Sequence, residues 1–81
     1  RKEPCIHFAG RFAAKEAIKK AILSLDNKLF IPLKSIVIHR LESGEPKPII
    51  QANINQFKLT IKLSISHTKQ FATAVALVIN K

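Results

Sequence analysis

The stretch from Phe8 to Ala21, Phe-Ala-Gly-Arg-Phe-Ala-Ala-Lys-Glu-Ala-Ile-Lys-Lys-Ala, constrains this chain more than any other. It contains no proline and has alanine at five positions, so its intrinsic preference is strongly helical. At about 100° per residue, Ala14, Ala17, Ile18, Ala21, Ile22 and Leu25 fill one broad arc, which predicts a core face. Arg11, Lys15 and Lys19 form a neighbouring stripe at i, i+4, i+8, and beyond it Glu16 stands one turn before Lys20. Phe8, Phe12 and Leu23 fall among these charges. A face meant only for water has no use for two phenylalanines, so this side is expected to line a cleft or a subunit interface.

The helix is expected from about Phe8 to Ser24 or Leu25, with Asp26-Asn27 as its stop. Residues 1–7 read as a polar lead-in around Pro4, extended or ending an earlier element. Lys28 to Lys34 is a loop or short strand interrupted by Pro32. Ser35 to Leu41 is β-branched and predicts a strand. Glu42-Ser43-Gly44-Glu45-Pro46 predicts a turn, with Gly44 free to take positive φ. Lys47 to Gln51 returns as the second strand of a hairpin, and Pro48 argues for an edge. Asn53 to Leu59 fits both helical and period-two spacing; a short helix or turn is expected there, before a strand from about Thr60 to Ser66. His67 to Gln70 makes the next connection, and Phe71 to Asn80 is a last strand. Thr73, Val75, Leu77 and Ile79 lie on one of its faces and Ala72, Ala74, Ala76 and Val78 on the other, which predicts a strand that is central or covered on both sides. The order helix, hairpin, hairpin indicates an α+β fold with a long helix packed on a small antiparallel sheet.

Eighty-one residues suffice for one small domain with a modest core. The chain has no methionine and begins with arginine, so it is expected to be trimmed, with some N-terminal structure beyond it. Fourteen Lys and Arg against five acids leave a net charge of +9, which predicts attraction to polyanions: nucleic acid, an acidic membrane surface, a phosphorylated ligand or an acidic protein. The lone Cys5 excludes an internal disulfide and suits a reducing cytoplasm. The longest apolar run, Ala74 to Ile79, falls far short of the ~20 residues that span a bilayer. Zinc-type ligand spacing is absent, and His7 and His39 are isolated and read as structural.

Two constellations could carry chemistry. Glu16 is the one acid placed mid-helix, flanked by Lys15, Lys19 and Lys20. As an ordinary surface residue it pairs with Lys20, worth about 0.2–0.5 kcal/mol. As a site residue it offers a carboxylate to a divalent cation beside lysines that hold phosphates; Mg²⁺ commonly takes one or two carboxylates plus phosphate oxygens. The second is Ser64-Ile65-Ser66-His67-Thr68-Lys69 at a strand end, either an ordinary polar turn or a set of donors for phosphate or ribose. A Ser-His hydrolase pair is disfavoured, because adjacent strand residues point to opposite faces.

Together these stretches resemble a known family. Phe8 to Ala17 followed by Lys20, then Gly44-Glu45-Pro46, then Ser64-Ile65-Ser66-His67-Thr68 and an Ala/Val-rich terminal strand are similar to holo-acyl-carrier-protein synthases, the small trimeric branch of the 4′-phosphopantetheinyl transferases. The resemblance runs from about Phe8 to the C-terminus, and it makes residues 1–81 the C-terminal portion of a single transferase domain. It implies Mg²⁺-dependent transfer of 4′-phosphopantetheine from coenzyme A to a serine of acyl carrier protein, in fatty acid biosynthesis, by a cytoplasmic homotrimer without membrane or nucleic-acid partners. By the same resemblance, Glu16 is a metal ligand that helps activate the acceptor serine, and Lys20 stands near the transferred phosphoryl group. Arg11 and Lys15 match basic residues near coenzyme A or the carrier. Ser66, His67 and Thr68 match strand-end residues that contact coenzyme A bound largely by a neighbouring subunit, and Gly44-Glu45-Pro46 matches a Gly-Lys-Pro turn near the nucleotide.

Two departures stand out. The family's opening Gly-Ile/Val-Asp strand, with the other metal ligand, does not occur in the chain, and its Gly-Thr-Gly segment is here Ile22-Leu23-Ser24-Leu25. The competing class is a small basic nucleic-acid-binding domain, which explains the charge but gives Glu16 no role and has no Tyr or Trp for stacking on bases. A third reading is a chain that holds the fold but only half of the site.

Overall fold

Pro4 opens the helix instead of preceding it. In the computed structural model, which describes residues 4–51 and 59–80, α1 spans Pro4–Leu23. The lead-in expected up to His7 is therefore helical from Pro4 onward. Proline fixes φ near the helical value and lacks an N–H, and the first turn has no intrahelical acceptor for that N–H anyway. At the other end the backbone tightens: Leu25 N donates to Ile22 O at 2.9 Å and the Ser24 hydroxyl to Ala21 O at 2.6 Å. The Asp26 carboxylate then accepts from Lys28 N at 3.0 Å and turns the chain away, as the Asp-Asn pair predicts.

A 3₁₀ turn, Leu33–Ser35, leads into β1 (Ile36–Arg40), which pairs antiparallel with β2 (Pro46–Ile50). Gly44 takes φ +96° at the tip of that hairpin, where Gly44 N donates to Leu41 O at 2.8 Å. β3 (Leu59–His67) pairs antiparallel with β4 (Ala72–Asn80). Among the described residues the strands form two separate two-stranded ladders and not one sheet. The ambiguous stretch from Asn53 lies outside the described residues up to position 58, and Leu59 already belongs to β3.

The core is one cluster. Ala14, Ile18 and Ile22 of α1 are buried with Ile31, Ile36 and Ile38. The inward row of β3, Leu59, Ile61, Leu63 and Ile65, packs against them together with Ala74, Ala76 and Val78 of β4. Spacing of i, i+4, i+8 lays the three helix residues along one line, which is what a flat pair of strands can cover. Leu25, expected on the same arc, is 40% exposed, because the helix has ended two residues earlier and the wheel no longer applies. Leu23, expected among the charges, is half-buried against the core.

Gly10 sets how closely the helix approaches the strands. A Cβ at this position would stand 3.2 Å from Ile65 Cγ2, tighter than ordinary van der Waals contact. Gly10 thus lies near the end of β3, whereas Ile18 and Ile22 join Ile36 and Ile38 of the first hairpin, whose strand β2 flanks the opening residues of β3. The helix runs against the direction of β3. On the far side of this layer β4 is bare: Phe71, just before it, is 71% exposed, Val75 70% and Leu77 57%. The expectation that β4 is covered on both faces is not met by the described residues of this chain.

Candidate functional site

α1 presents its basic side to solvent. Arg11 and Lys20 are exposed, and Lys15, Glu16 and Lys19 are half-buried. Lysine stems can lie along the helix while their ammonium groups reach water, which is how a charged residue becomes half-buried without a desolvated charge. Phe12, Glu16 and Lys20 succeed one another at i, i+4, i+8 on one row of the helix. Phe12, 57% exposed, therefore sits one turn before the carboxylate, and Lys20 one turn after it. An accessible carboxylate with an ammonium group a turn away can share an anionic ligand through a metal ion on one side and a direct contact on the other.

For a divalent cation the residues fit as a partial site. Glu16 is an accessible hard oxygen donor, but among the described residues no three His, Cys, Asp or Glu gather as a metal centre. One protein carboxylate plus phosphate oxygens is an arrangement that suits Mg²⁺.

The strand-end group is built differently. Ser66 is exposed at the end of β3, opposite Thr73 of β4. Position 67 pairs with Ala72, and the His67 side chain lies outside the described residues. Thr68 is exposed, but its hydroxyl oxygen is occupied: it accepts from Gln70 N at 3.2 Å and from Phe71 N at 3.1 Å. Thr68 N in turn donates to Phe71 O at 2.7 Å.

The structure brings Arg11, Lys15, Glu16 and Lys20 together on α1, and separately Ser66 and Thr68 at the end of β3. It does not bring the two groups together within one chain. Glu16 lies six residues past the Gly10–Ile65 contact in one direction and Thr68 three residues past it in the other, which separates them by on the order of 15–20 Å along the layer.

A cleft of about 830 Å³ opens between β2 and β3, with Glu45, Lys47, Thr60 and Lys62 lining it beside apolar residues such as Pro48 and Ile61. Sequence reasoning missed Lys47 and Lys62 as a pair, because nothing in the order of residues says that β2 and β3 lie side by side. It also missed the capping role of Thr68, although a threonine opening a glycine-free connection is a signal of that kind.

The helix with its Lys-Glu row, the two hairpins and the strand-end hydroxyls define a class. The chain matches the family model of the 4′-phosphopantetheinyl transferase superfamily over residues 1–76 and belongs to that superfamily. It is similar to the holo-[acyl-carrier-protein] synthase of Chlorobaculum parvum, at 42% identity over 94% of this chain and 62% of the relative. The protein of the same name from Protochlamydia amoebophila is 41% identical over 94% of this chain and 63% of its own length. The one from Petrotoga mobilis is 37% identical over 90% and 61%. The chain thus spans less than two thirds of the length of these curated relatives. No solved structure matches it significantly. Among the described residues no helix is long and apolar enough to cross a membrane.

Proposed function

We propose that the protein transfers 4′-phosphopantetheine from coenzyme A to a serine of acyl carrier protein. The observation that carries this reading is the pairing on α1 of a half-buried Glu16 with an exposed Lys20 one turn later, in a member of a phosphopantetheinyl transferase superfamily whose similar relatives are named holo-[acyl-carrier-protein] synthases. The serine oxygen forms a bond to the β-phosphorus as the diphosphate P–O bond breaks. Adenosine 3′,5′-bisphosphate leaves with that electron pair, and the serine proton passes to a carboxylate. Lys20 holds the phosphoryl group in line, and its charge opposes the negative charge that collects on the departing phosphate. Glu16 would hold Mg²⁺ and is the carboxylate on α1 that could serve as the proton acceptor. When bound, the ion supplies charge neutralisation on the diphosphate.

Arg11 and Lys15 extend the positive row and recognise either coenzyme A phosphates or carrier carboxylates. The cleft bearing Lys47 and Lys62 has the volume of a small-molecule site and lies beside the Gly44-Glu45-Pro46 turn, which supports a place for the nucleotide there. The distance between the two groups within one chain supports a site shared between subunits, with Ser66, His67 and Thr68 of one copy facing the helix of another. The bare face of β4 supports a homotrimer as the assembly that does so. The test is conversion of apo carrier protein in the presence of coenzyme A and Mg²⁺, read by mass spectrometry. A mass gain of one phosphopantetheine on the acceptor serine is expected. Its absence, with tight binding to random DNA instead, overturns the reading in favour of a nucleic-acid-binding domain, the alternative that the charge of +9 also permits.

A further inference from the structure

We infer that Phe30, in the bend that follows α1, is an anchor for the acidic carrier protein and seats in an apolar pocket of that partner; this rests on the proposed transferase reading. Phe30 is 84% exposed, more than any other large apolar residue among those described. A phenylalanine on a loose loop can fold away from water, but this one is held out from both sides. Leu29 before it packs against the core, and Ile31 after it is a core residue, 2% exposed. Pro32 then sets its own φ at −65° and narrows the choices of Ile31. On the other flank Lys28 N donates to the Asp26 carboxylate at 3.0 Å and Leu29 N to Asp26 O at 3.3 Å, which closes the bend. The backbone carrying Phe30 is thereby fixed, so little further ordering is required when a partner covers the ring.

The place of the ring selects its partner. α1 ends at Leu23, about 5 Å along the axis from Lys20, and the bend begins there. A protein interface of standard size covers about 800 Å² on each side, a disc roughly 16 Å in radius. A carrier that brings its serine to Glu16 and Lys20 therefore reaches the end of α1 and the bend beyond it. Around Phe30 the free charges are of one sign. Lys28 and Lys34 are exposed on either side of it in the chain, whereas Asp26 is half-buried with its carboxylate turned to Lys28 N. Leu25, 40% exposed, adds apolar surface. An aromatic ring within a basic rim is complementary to an apolar pocket within an acidic rim, the setting in which interface aromatics contribute most. A lipid surface also accepts a phenylalanine beside lysines, but one ring on a fixed bend offers little area for insertion, and the proposed reaction places a protein at this end of the helix.

Phe30→Ala tests the anchor in the intact protein, by titration calorimetry with apo carrier protein and by transfer kinetics in which carrier and coenzyme A are varied separately. Kd and KM for the carrier are expected to rise roughly tenfold or more, with KM for coenzyme A unchanged. Thermal unfolding should stay at the parent temperature, because the ring is exposed. Phe30→Leu keeps an apolar side chain and should recover most of the lost affinity. Lys28→Glu with Lys34→Glu should weaken binding of the carrier alone, and more so at low salt. The assignment is overturned if Phe30→Ala keeps the parent affinity for the carrier. It is equally overturned if that variant unfolds earlier, raises KM for coenzyme A as much as for the carrier, or changes the oligomeric state in sedimentation. In those cases the ring packs within the chain, shapes the site or lies between copies. Binding to vesicles of phosphatidylglycerol and phosphatidylcholine that falls with Phe30→Ala, while carrier affinity holds, would assign the ring to a lipid surface instead. A parent protein that binds carrier without converting it defeats the transferase reading, and the calorimetry still judges Phe30; a parent that does neither overturns both.

Discussion

Glu16 and Gly10 occupy the same helix and answer to different physics. Glu16 is half-buried on α1 and is not one of the buried residues that form the core, so its loss belongs to chemistry. Glu16→Gln keeps shape and removes charge. Stability should move by no more than about 0.5 kcal/mol, whereas the transfer rate should fall by about 10²-fold and the Mg²⁺ concentration for half-maximal rate should rise. Parent rates with unchanged Mg²⁺ dependence would remove the carboxylate from the site. Gly10 is the converse case. Gly10→Ala gains about 0.8–1 kcal/mol of helix propensity, set against a methyl group 3.2 Å from Ile65 Cγ2. The two effects oppose, so alanine should be near neutral. Gly10→Leu adds volume with nowhere to go and should cost about 1–3 kcal/mol in thermal or denaturant unfolding.

At the scale of elements, α1 acts as the lid of the core. Ile18 and Ile22 are fully buried against Ile36 and the inward row of β3. Ile18→Ala should cost about 2–5 kcal/mol by urea unfolding, a large share of the roughly 5–15 kcal/mol typical of a natural domain. Phe12→Ala, on the exposed row, should leave stability almost unchanged; a loss as large as that of Ile18→Ala would mean that Phe12 is covered within the chain. Much at this scale was legible in the sequence. The helix, the β1–β2 hairpin with its glycine turn, and strands β3 and β4 all form where spacing and turn residues place them. Their ends shift for local reasons: Pro4 is accepted in the first turn, and Ser35 is taken into a 3₁₀ turn through Ser35 N to Pro32 O at 2.9 Å. The chemistry-bearing residues were legible as types, but their distribution was not. Only the packing of Gly10 on Ile65 reveals that the Glu16 group and the Thr68 group lie apart along the layer.

For the molecule as a whole, the consequence is an apolar strand face that the described residues leave uncovered. Phe71, Val75, Leu77 and Ile79 stand exposed in one row, beside a polar row of Thr60, Lys62, Ser64 and Ser66 on β3. On the proposed trimer this face is buried. Val75→Lys with Leu77→Lys should therefore leave secondary structure intact and yield monomers in sedimentation or scattering, with transfer activity lost. A site shared between copies makes a second prediction. Glu16→Ala and His67→Ala proteins should each be weak, while mixtures allowed to exchange subunits should regain activity at interfaces that combine an intact Glu16 with an intact His67. Verified exchange without recovery would refute the shared site. Binding to the carrier should also weaken with salt, since exposed charges are screened over about 10 Å at 0.1 M.

The sequence by itself determined the local elements, the basic side of α1 and the resemblance that led to the superfamily, because these follow from propensity, period and the order of short motifs along one chain. Tertiary structure decided the rest. Contact between residues far apart in sequence set the antiparallel course of α1 over β3, opened the Lys47–Lys62 cleft and left β4 bare. It also turned the Thr68 hydroxyl inward to the backbone, where a reading of residue types sees only another donor for a ligand. Periodicity tells which face of an element is apolar; only packing tells which of those faces the chain can cover itself.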